Sequence, residues 1–199
     1  MKPILFFDIE TCSDPNTLLE RIDFIDRKLW NEDRVNFLPE FCMIITIAVG
    51  RIRDDGKIEV KTIEGSEKEM IEKFYTYAEK YMLCGYNILM FDIPFIVKRW
   101  LKYGLKVPPT LMLANAKPWD LTDRFIDLAR LYQWPSFSMS AMEDVAIHLN
   151  IPTPKDIMHG SEVQKFYTDG HLDLIQKYCK QDVECTALIY QKLKELNFI

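Results

Sequence analysis

The sequence predicts a single α/β domain over residues 1–199, in which helices flank a central mixed sheet. Two observations lead to this fold class. Predicted strands dominate the first half of the chain and predicted helices the second, and an early hairpin places two strands side by side. The composition agrees, because 48% of the residues are hydrophobic and 28% are charged, as in an ordinary globular domain.

The strands are predicted from short apolar runs bounded by turn residues. Residues 3–8 form a buried strand, and residues 42–50 (CMIITIAVG) form a second that is rich in β-branched side chains. Residues 58–63 alternate as the return strand of a hairpin, which the turn at residues 54–56 (DDG) closes. Residues 82–86 form a short buried strand that ends near Gly85.

Helices are predicted where a capping-box pattern precedes apolar residues at helical spacing. Such patterns stand at residues 66–69 (SEKE), 140–143 (SAME) and 161–164 (SEVQ). Two more helices are predicted from Pro94 to about residue 103 and from about residue 171 to residue 196. Residues 14–40 are expected to be irregular apart from a short helical stretch at 18–29, residues 104–119 to be loop, and residues 120–132 fit either a strand or a helix.

Charge and cysteine content limit the class of protein. The formal net charge of -5 argues against a protein that coats nucleic acid by bulk electrostatics, but an acidic metal site is compatible with a nuclease. Five cysteines without a CxxC pair predict reduced thiols rather than a disulfide framework or a zinc site, and hence a cytoplasmic location. The N-terminal apolar run is too short for a signal peptide or a membrane span.

Two acids follow the first predicted strand, in LFFDIETC at residues 5–12. Asp8 and Glu10 are two residues apart, so their side chains point to the same side of an extended chain. A buried ionised carboxylate is costly unless it is paired. Either the strand ends there in a solvated loop, or the two carboxylates hold a cation.

Two later segments add further candidates. In residues 85–99 (GYNILMFDIPFIVKR), Asp92 is either the N-cap of the following helix or a functional acid. Asn87 and Phe91 flank it, where an amide and an aromatic ring could meet a phosphate and a base, although Phe91 also fits a core position. In YCKQD at residues 178–182, Tyr178 and Asp182 share one helix face, as a boundary tyrosine and a surface acid also would.

Taken in order, FDIET, NILMFDIP and YCKQD resemble the three exonuclease motifs of the DEDD superfamily, which has the DnaQ-like, ribonuclease H-like fold. Tyr178 stands four residues before the final acid, and Lys177 stands where a second subclass has histidine. The sequence therefore resembles the DEDDy subclass. It is most similar to the 3′-5′ exonuclease domain of family B DNA polymerases, over most of the chain and least at residues 13–40 and 104–137.

The resemblance implies a metal-dependent 3′-5′ exonuclease that hydrolyses single-stranded nucleic acid, DNA in preference to RNA, with two divalent ions, Mg²⁺ or Mn²⁺. It implies these roles: metal ligation by Asp8, Glu10, Asp92 and Asp182, orientation of the attacking water by Tyr178, and substrate binding by Thr11, Asn87, Phe91 and Arg99. Asp8 would bridge both ions, and Arg99 would neutralise phosphate. A phenol with a pKa near 10 is a poor base at neutral pH, so the metal would supply most of the deprotonation.

Two alternatives stay open at this point. One is an exoribonuclease that acts on RNA 3′ ends, since a contact to a 2′-hydroxyl cannot be read from the sequence. The other is a nonenzymatic nucleic-acid-binding module on the same fold, against which the intact acids argue. A separate polymerase or repair protein is a possible partner, and no membrane association is expected.

Overall fold

The computed structural model describes residues 2–14, 38–112, 121, 123–133, 138–153 and 158–199. Five strands form one mixed sheet in the order β3-β2-β1-β4-β5. The strands are β1 (Ile4–Ser13), β2 (Cys42–Ile52), β3 (Ile58–Thr62), β4 (Met82–Gly85) and β5 (Phe125–Asp127). Strands β1 to β3 pair antiparallel, whereas β4 runs parallel to both β1 and β5. The predicted α/β class with a central mixed sheet is therefore confirmed.

Helices cover the sheet. They are α1 (Glu67–Lys80), α2 (Asp92–Lys102), α3 (Leu128–Gln133), α4 (Met142–His148), α5 (Val163–Thr168) and α6 (Leu172–Glu195), with short 3₁₀ turns at Pro109–Leu111 and Gly160–Glu162. The predicted capping box at α1 is present: the amide of Ser66 donates to Oε2 of Glu69 at 2.8 Å, and the amide of Glu69 donates to Oγ of Ser66 at 3.4 Å. Both bonds satisfy donors at the helix start.

The two faces of β1 belong to different cores because successive side chains of a strand point to opposite sides. Leu5, Phe7 and Ile9 are buried in the cluster that contains the apolar faces of α1 and α2. Phe6 is buried in a second cluster with Cys179 of α6. The even-numbered residues of β1 therefore face α6.

Strand β1 continues through Ser13, so the prediction that the strand ends at residue 8 was wrong. Asp8 and Glu10 lie inside the strand, where they pair with Ala48 and Thr46 of β2. The register shifts between Glu10 and Thr11, which marks a β-bulge beside the two acids. Strand β2 pairs with β1 from Phe6 to Ser13. Because this pairing continues past Asp8 and Glu10, β1 continues past them as well.

Other differences are local. Residues 120–132, which fitted either element, contain both β5 and the start of α3. The capping box predicted at residues 140–143 does not form, since α4 begins at Met142 with Ala141 at its N-cap. The helical stretch predicted at residues 18–29 lies outside the described residues. No disulfide joins any of the five cysteines, all of which are buried in the described part of the chain.

None of the helices in the described ranges combines the length and the hydrophobicity that crossing a bilayer requires.

Candidate active site

Carboxylates from three separate elements meet at one end of the sheet. Asp8 and Glu10 come from β1, Asp92 is the first residue of α2, and Asp182 lies in the middle of α6. Asp92 was a candidate helix N-cap, but the N-cap position is Phe91, and Oδ1 of Asp92 instead accepts a hydrogen bond of 3.2 Å from the backbone amide of Ile9. This bond holds the α2 carboxylate against β1 at Ile9, the residue that separates the two strand acids in the sequence.

A cleft opens beside the acids because β4 is shorter than β1. The pairing of β1 with β4 ends at Phe6 and Cys84, two residues before Asp8. The chain turns away after Gly85, where a Cβ atom would collide with the side chain of Ile88 and lie 3.0 Å from the carbonyl oxygen of Phe7. Clefts beyond the carboxyl ends of parallel strands are common binding sites in α/β proteins.

The cleft holds a cavity of about 530 Å³, a size within the range of small-ligand sites. Its lining residues come from β1, the loop after β4, the start of α2, the region around the second 3₁₀ turn, and α6: Asp8, Ile9, Glu10, Thr11, Tyr86, Asn87, Phe91, Asp92, Gly160, Ser161, Val163, Gln164 and Tyr178. A smaller cavity of about 210 Å³ adjoins it and reaches Tyr178 and Asp182 from the side of α4.

Three residues predicted to bind substrate lie in the wall of the larger cavity. Thr11, Asn87 and Phe91 all line it, and the half-buried ring of Phe91 also packs on Phe95, with ring centroids 5.5 Å apart. Asn87 adopts a left-handed backbone (φ 61°), and its Oδ1 is buried with no hydrogen-bond partner among the described residues. Their positions fit substrate binding, which stays a prediction.

Arg99 does not lie at the cleft, so its predicted phosphate contact was wrong. Its side chain is 1% exposed. The guanidinium donates to both carboxylate oxygens of Glu67, at 2.6 and 2.5 Å, and to the carbonyl oxygen of Pro39 at 3.1 Å. It also pairs with Asp14 at 3.4 Å. Through these bonds Arg99 joins α2 and α1 to the residue that follows β1.

Asp127, which the sequence did not single out, organises the loop between β4 and α2. This acid is 4% exposed and ends β5. Its Oδ1 accepts from the amides of Asn87 at 2.9 Å and Ala129 at 3.2 Å, and its Oδ2 accepts from the amide of Leu89 at 3.0 Å. The sequence does contain a hint of this acid: residues 125–127 (FID) are two apolar residues followed by an aspartate, as in the first motif.

The pKa values of the four clustered acids are raised above those of free carboxylic acids. Burial raises the pKa of Asp8 well above its usual value, and the charges of Asp92, Glu10 and Asp182 raise it further. The pKa of Glu10 is raised by burial and then by Asp182 and Asp92. Burial is also the main cause that raises the pKa of Asp92 and that of Asp182, each to about 7. Such mutual repulsion is relieved when a cation binds.

Tyr178 adjoins Asp182 on the same face of α6. Burial raises the pKa of its phenol far above the usual value, and the charges of Asp182 and Glu10 add to the effect. A hydrogen bond from Tyr178 lowers the pKa of Asp182 and so opposes the effect of burial on that acid. The phenol therefore stays protonated at neutral pH and acts as a donor rather than as a base.

The residues present fit a divalent metal. Oxygen ligands from carboxylates suit Mg²⁺ and Mn²⁺. One ligand atom each from Asp8, Glu10 and Cys179 lie within 4.8 Å of one another. Oδ1 of Asp182 is buried and has no hydrogen-bond partner among the described residues, as expected for an atom whose partner is a cation.

The fold and the site together define a class: an α/β domain of the ribonuclease H-like fold that carries a cluster of carboxylates beside an open cleft. The family B DNA polymerase of the hyperthermophilic archaeon Pyrobaculum calidifontis superposes on the whole chain with a TM-score of 0.68 and 19% identity, and the match covers 25% of that polymerase. At this identity the match establishes the fold.

The family follows from the sequence. A family model described as a predicted 3′-5′ exonuclease related to the exonuclease domain of PolB matches residues 35–197. The chain belongs to this family. The matched range contains Asp92, Tyr178 and Asp182 but begins after Asp8 and Glu10, so it is the structure that brings the first two acids to the other three residues.

Two curated relatives agree with this assignment. The PolC-type DNA polymerase III of Mycoplasma genitalium is 26% identical over 163 residues, which are 79% of this chain and 10% of that protein. The DNA polymerase of red sea bream iridovirus is 26% identical over 149 residues, which are 62% of this chain and 15% of that protein. The chain thus spans a small part of the length of each relative.

Proposed function

We propose that the chain is a metal-dependent 3′-5′ exonuclease of the DEDDy type, which hydrolyses phosphodiester bonds from the 3′ end of single-stranded nucleic acid, DNA in preference to RNA. The main observation in support is that Asp8, Glu10, Asp92 and Tyr178 line one open cavity and that Asp182 lines the smaller cavity that adjoins it. No two of the three elements that supply them are adjacent in the sequence.

The four carboxylates would hold two divalent ions, Mg²⁺ or Mn²⁺. Fully ionised, they carry the negative charge that two divalent ions balance. Burial is the main cause that raises their pKa values, and the neighbouring carboxylates raise those of Asp8 and Glu10 further. The ions would supply an activated water and stabilise the charge that develops on the phosphodiester. The hydrogen bond from Ile9 keeps the Asp92 carboxylate oriented for this task.

Tyr178 would hold the attacking water in line with the scissile bond. Its raised pKa keeps the phenol protonated, so its contribution is positional, through a hydroxyl group that lies near Asp182. Gly160 faces this hydroxyl, since a Cβ atom there would lie 3.9 Å from it. The absence of a side chain at Gly160 leaves room for water and substrate next to the phenol.

The cavity wall supports a single strand as the substrate. Phe91 offers a ring face on which a base could stack, an interaction that contributes roughly 1–3 kcal/mol per base and tolerates any sequence. Asn87 offers a carbonyl oxygen that has no partner among the described residues. A cavity of about 530 Å³ suits a terminal nucleotide rather than a duplex.

The test is a time course with 5′-labelled and 3′-labelled oligonucleotides of DNA and RNA, in Mg²⁺, Mn²⁺ and EDTA. We expect a ladder of shortening 5′-labelled products with either metal and no reaction in EDTA. Asp182→Asn should abolish the ladder, and Asp173→Asn, an exposed acid on the same helix, should preserve it. Faster loss of RNA would favour the exoribonuclease. Binding without cleavage of either strand would favour the nonenzymatic module.

We further propose that the substrate ends are those that a DNA polymerase extends, since the relatives and the structural match are all named as DNA polymerases. In that setting a separate polymerase or repair protein would be the partner. A pull-down with the tagged chain tests whether a polymerase binds to it. The Asp127→Asn variant, in which the loop beside the cleft is altered, serves for comparison.

A further inference from the structure

We infer that Cys179 is a sulfur ligand of the same centre, so that Asp8, Glu10 and Cys179 bind one thiophilic divalent ion, Zn²⁺ or Cd²⁺, in place of the hard ions. The inference builds on the proposed metal centre but concerns a different ion and a different donor. A zinc site was not expected from the cysteine spacing, since no CxxC pair is present.

The distances fit such an ion. Sγ of Cys179 lies 3.4 Å from Oδ2 of Asp8. A tetrahedral zinc with a Zn–S bond of about 2.3 Å and a Zn–O bond of about 2.0 Å separates its sulfur and oxygen ligands by about 3.5 Å. A donor atom of Glu10 completes a set whose members all lie within 4.8 Å. Little movement is needed to close three ligands around one ion.

Asp182 is a further carboxylate on the same helix. Asp182 follows Cys179 by three residues, so both side chains project from one face of α6. Asp182 is 6% exposed, and its Oδ1 has no hydrogen-bond partner among the described residues. Its charge raises the pKa of Asp8, of Glu10 and of Cys179, so this carboxylate lies near all three residues. A cation bound beside this buried oxygen would supply the partner that it lacks among the described residues.

The chemistry of the donors separates the two kinds of ion. Mg²⁺ is hard and prefers oxygen, so the thiol is a poor ligand for it. Soft thiolate ligands favour Zn²⁺ and its heavier analogue Cd²⁺. On binding, the S–H bond of Cys179 breaks, a sulfur–metal bond forms, and the proton passes to solvent. An ion held this way occupies Asp8 and Glu10, and therefore blocks the proposed nuclease centre.

Direct binding of Cd²⁺ tests the inference without any assay of cleavage. The chain is treated with EDTA, freed of chelator and titrated with Cd²⁺, while the ultraviolet charge-transfer band of a cadmium–thiolate bond is recorded. We expect the band in the natural sequence and its loss in Cys179→Ser and Cys179→Ala. Affinity for Cd²⁺ should fall at least about 100-fold, because loss of groups outside the ligand shell already costs about 10–100-fold.

Two matched controls identify the sulfur. Cys185→Ser removes another buried thiol of the same helix. Cys42→Ser removes a thiol that lies near Cys12, where two sulfur atoms could together bind cadmium. Both should keep the band. Circular dichroism and thermal melting in Mn²⁺ check that the Cys179 variants are folded. A folded Cys179→Ser variant that keeps the band, or a natural chain that lacks it, would overturn the inference.

A competition assay then separates this inference from the proposed function. Cd²⁺ should inhibit Mn²⁺-dependent cleavage, and the concentration for half inhibition should rise at least about 100-fold in Cys179→Ser, measured relative to that variant's own activity. A cadmium band without any cleavage in Mn²⁺ would support the sulfur ligand and contradict the proposed nuclease activity. Cleavage without the band would do the reverse.

Discussion

The backbone amide of Ile9 donates a hydrogen bond of 3.2 Å to Oδ1 of Asp92, across 83 residues of sequence. Ile9 itself is buried on the face of β1 that packs against α1 and α2, while its neighbours Asp8 and Glu10 face α6. One peptide group thus ties the start of α2 to the strand that bears the other two acids. The bond explains how a carboxylate of a helix reaches the same cleft as two carboxylates of a strand.

Without metal, the clustered acids should make stability depend on pH. An unfolded aspartate has a pKa of about 3.9, whereas the pKa of Asp182 is raised to about 7 in the fold. The folded state therefore binds more protons between these values, and the free energy of unfolding should fall as the pH rises from about 4 to about 8. Thermal melts in EDTA across this interval measure the slope.

Asp182→Asn should flatten that slope. We expect this variant to be more stable than the natural chain at pH 8 in EDTA, by about 0.5–2 kcal/mol, because the uncharged amide removes repulsion from Asp8 and Glu10. Asp173→Asn, in the exposed first turn of α6, serves as the control and should leave the slope unchanged. If Asp182→Asn were strongly destabilised in EDTA, the acid would be a structural partner rather than a metal ligand.

Tyr178→Phe should slow cleavage by about 10²–10³, since it removes a group that positions water and assists proton transfer. Metal affinity should be retained because the phenol is not a ligand. Single-turnover cleavage of a short oligonucleotide, titrated with Mn²⁺, separates the two effects. Tyr190→Phe, on the same helix away from the cleft, is the matched control. Full activity of Tyr178→Phe would remove the basis for the DEDDy assignment.

Asp127→Asn should loosen the loop that contains Asn87 and Phe91. An amide has one acceptor oxygen, so at least one of the three backbone donors loses its partner, which costs about 1–3 kcal/mol when the donor is buried. Hydrogen exchange of residues 86–91 should increase, and the affinity for a single strand should fall. Asp123→Asn, an exposed acid nearby, should change neither quantity. Unchanged exchange in Asp127→Asn would show that other contacts hold the loop.

Arg99→Met should destabilise the fold by about 3–5 kcal/mol, because it leaves Glu67 buried and charged without its partner. Lys98→Met removes an exposed ion pair with Glu40 and should cost less than about 1 kcal/mol. Urea denaturation measures both. A stable Arg99→Met variant with weakened affinity for nucleic acid would instead restore the phosphate contact that the sequence predicted.

The sequence by itself determined which acids and which tyrosine the fold brings to the candidate site, while the DEDDy subclass stays a prediction. The acids and Tyr178 stand in short motifs whose order and local spacing are read directly from the chain, since a strand repeats every two residues and a helix brings residues four apart together. The same local periodicity predicted the hairpin and the capped start of α1. The metal and substrate roles of these residues remain predictions.

Tertiary structure decided what depends on contacts between distant segments. The sequence treated the end of β1 as a boundary, but pairing with β2 carries the strand past Glu10 to Ser13. It assigned Arg99 to a phosphate contact, whereas the fold buries this side chain between Glu67 and Asp14. Cys179 meets Asp8 across 171 residues of sequence. Burial and pairing of this kind arise only when the sheet and helices pack together, so no local pattern in the sequence records them.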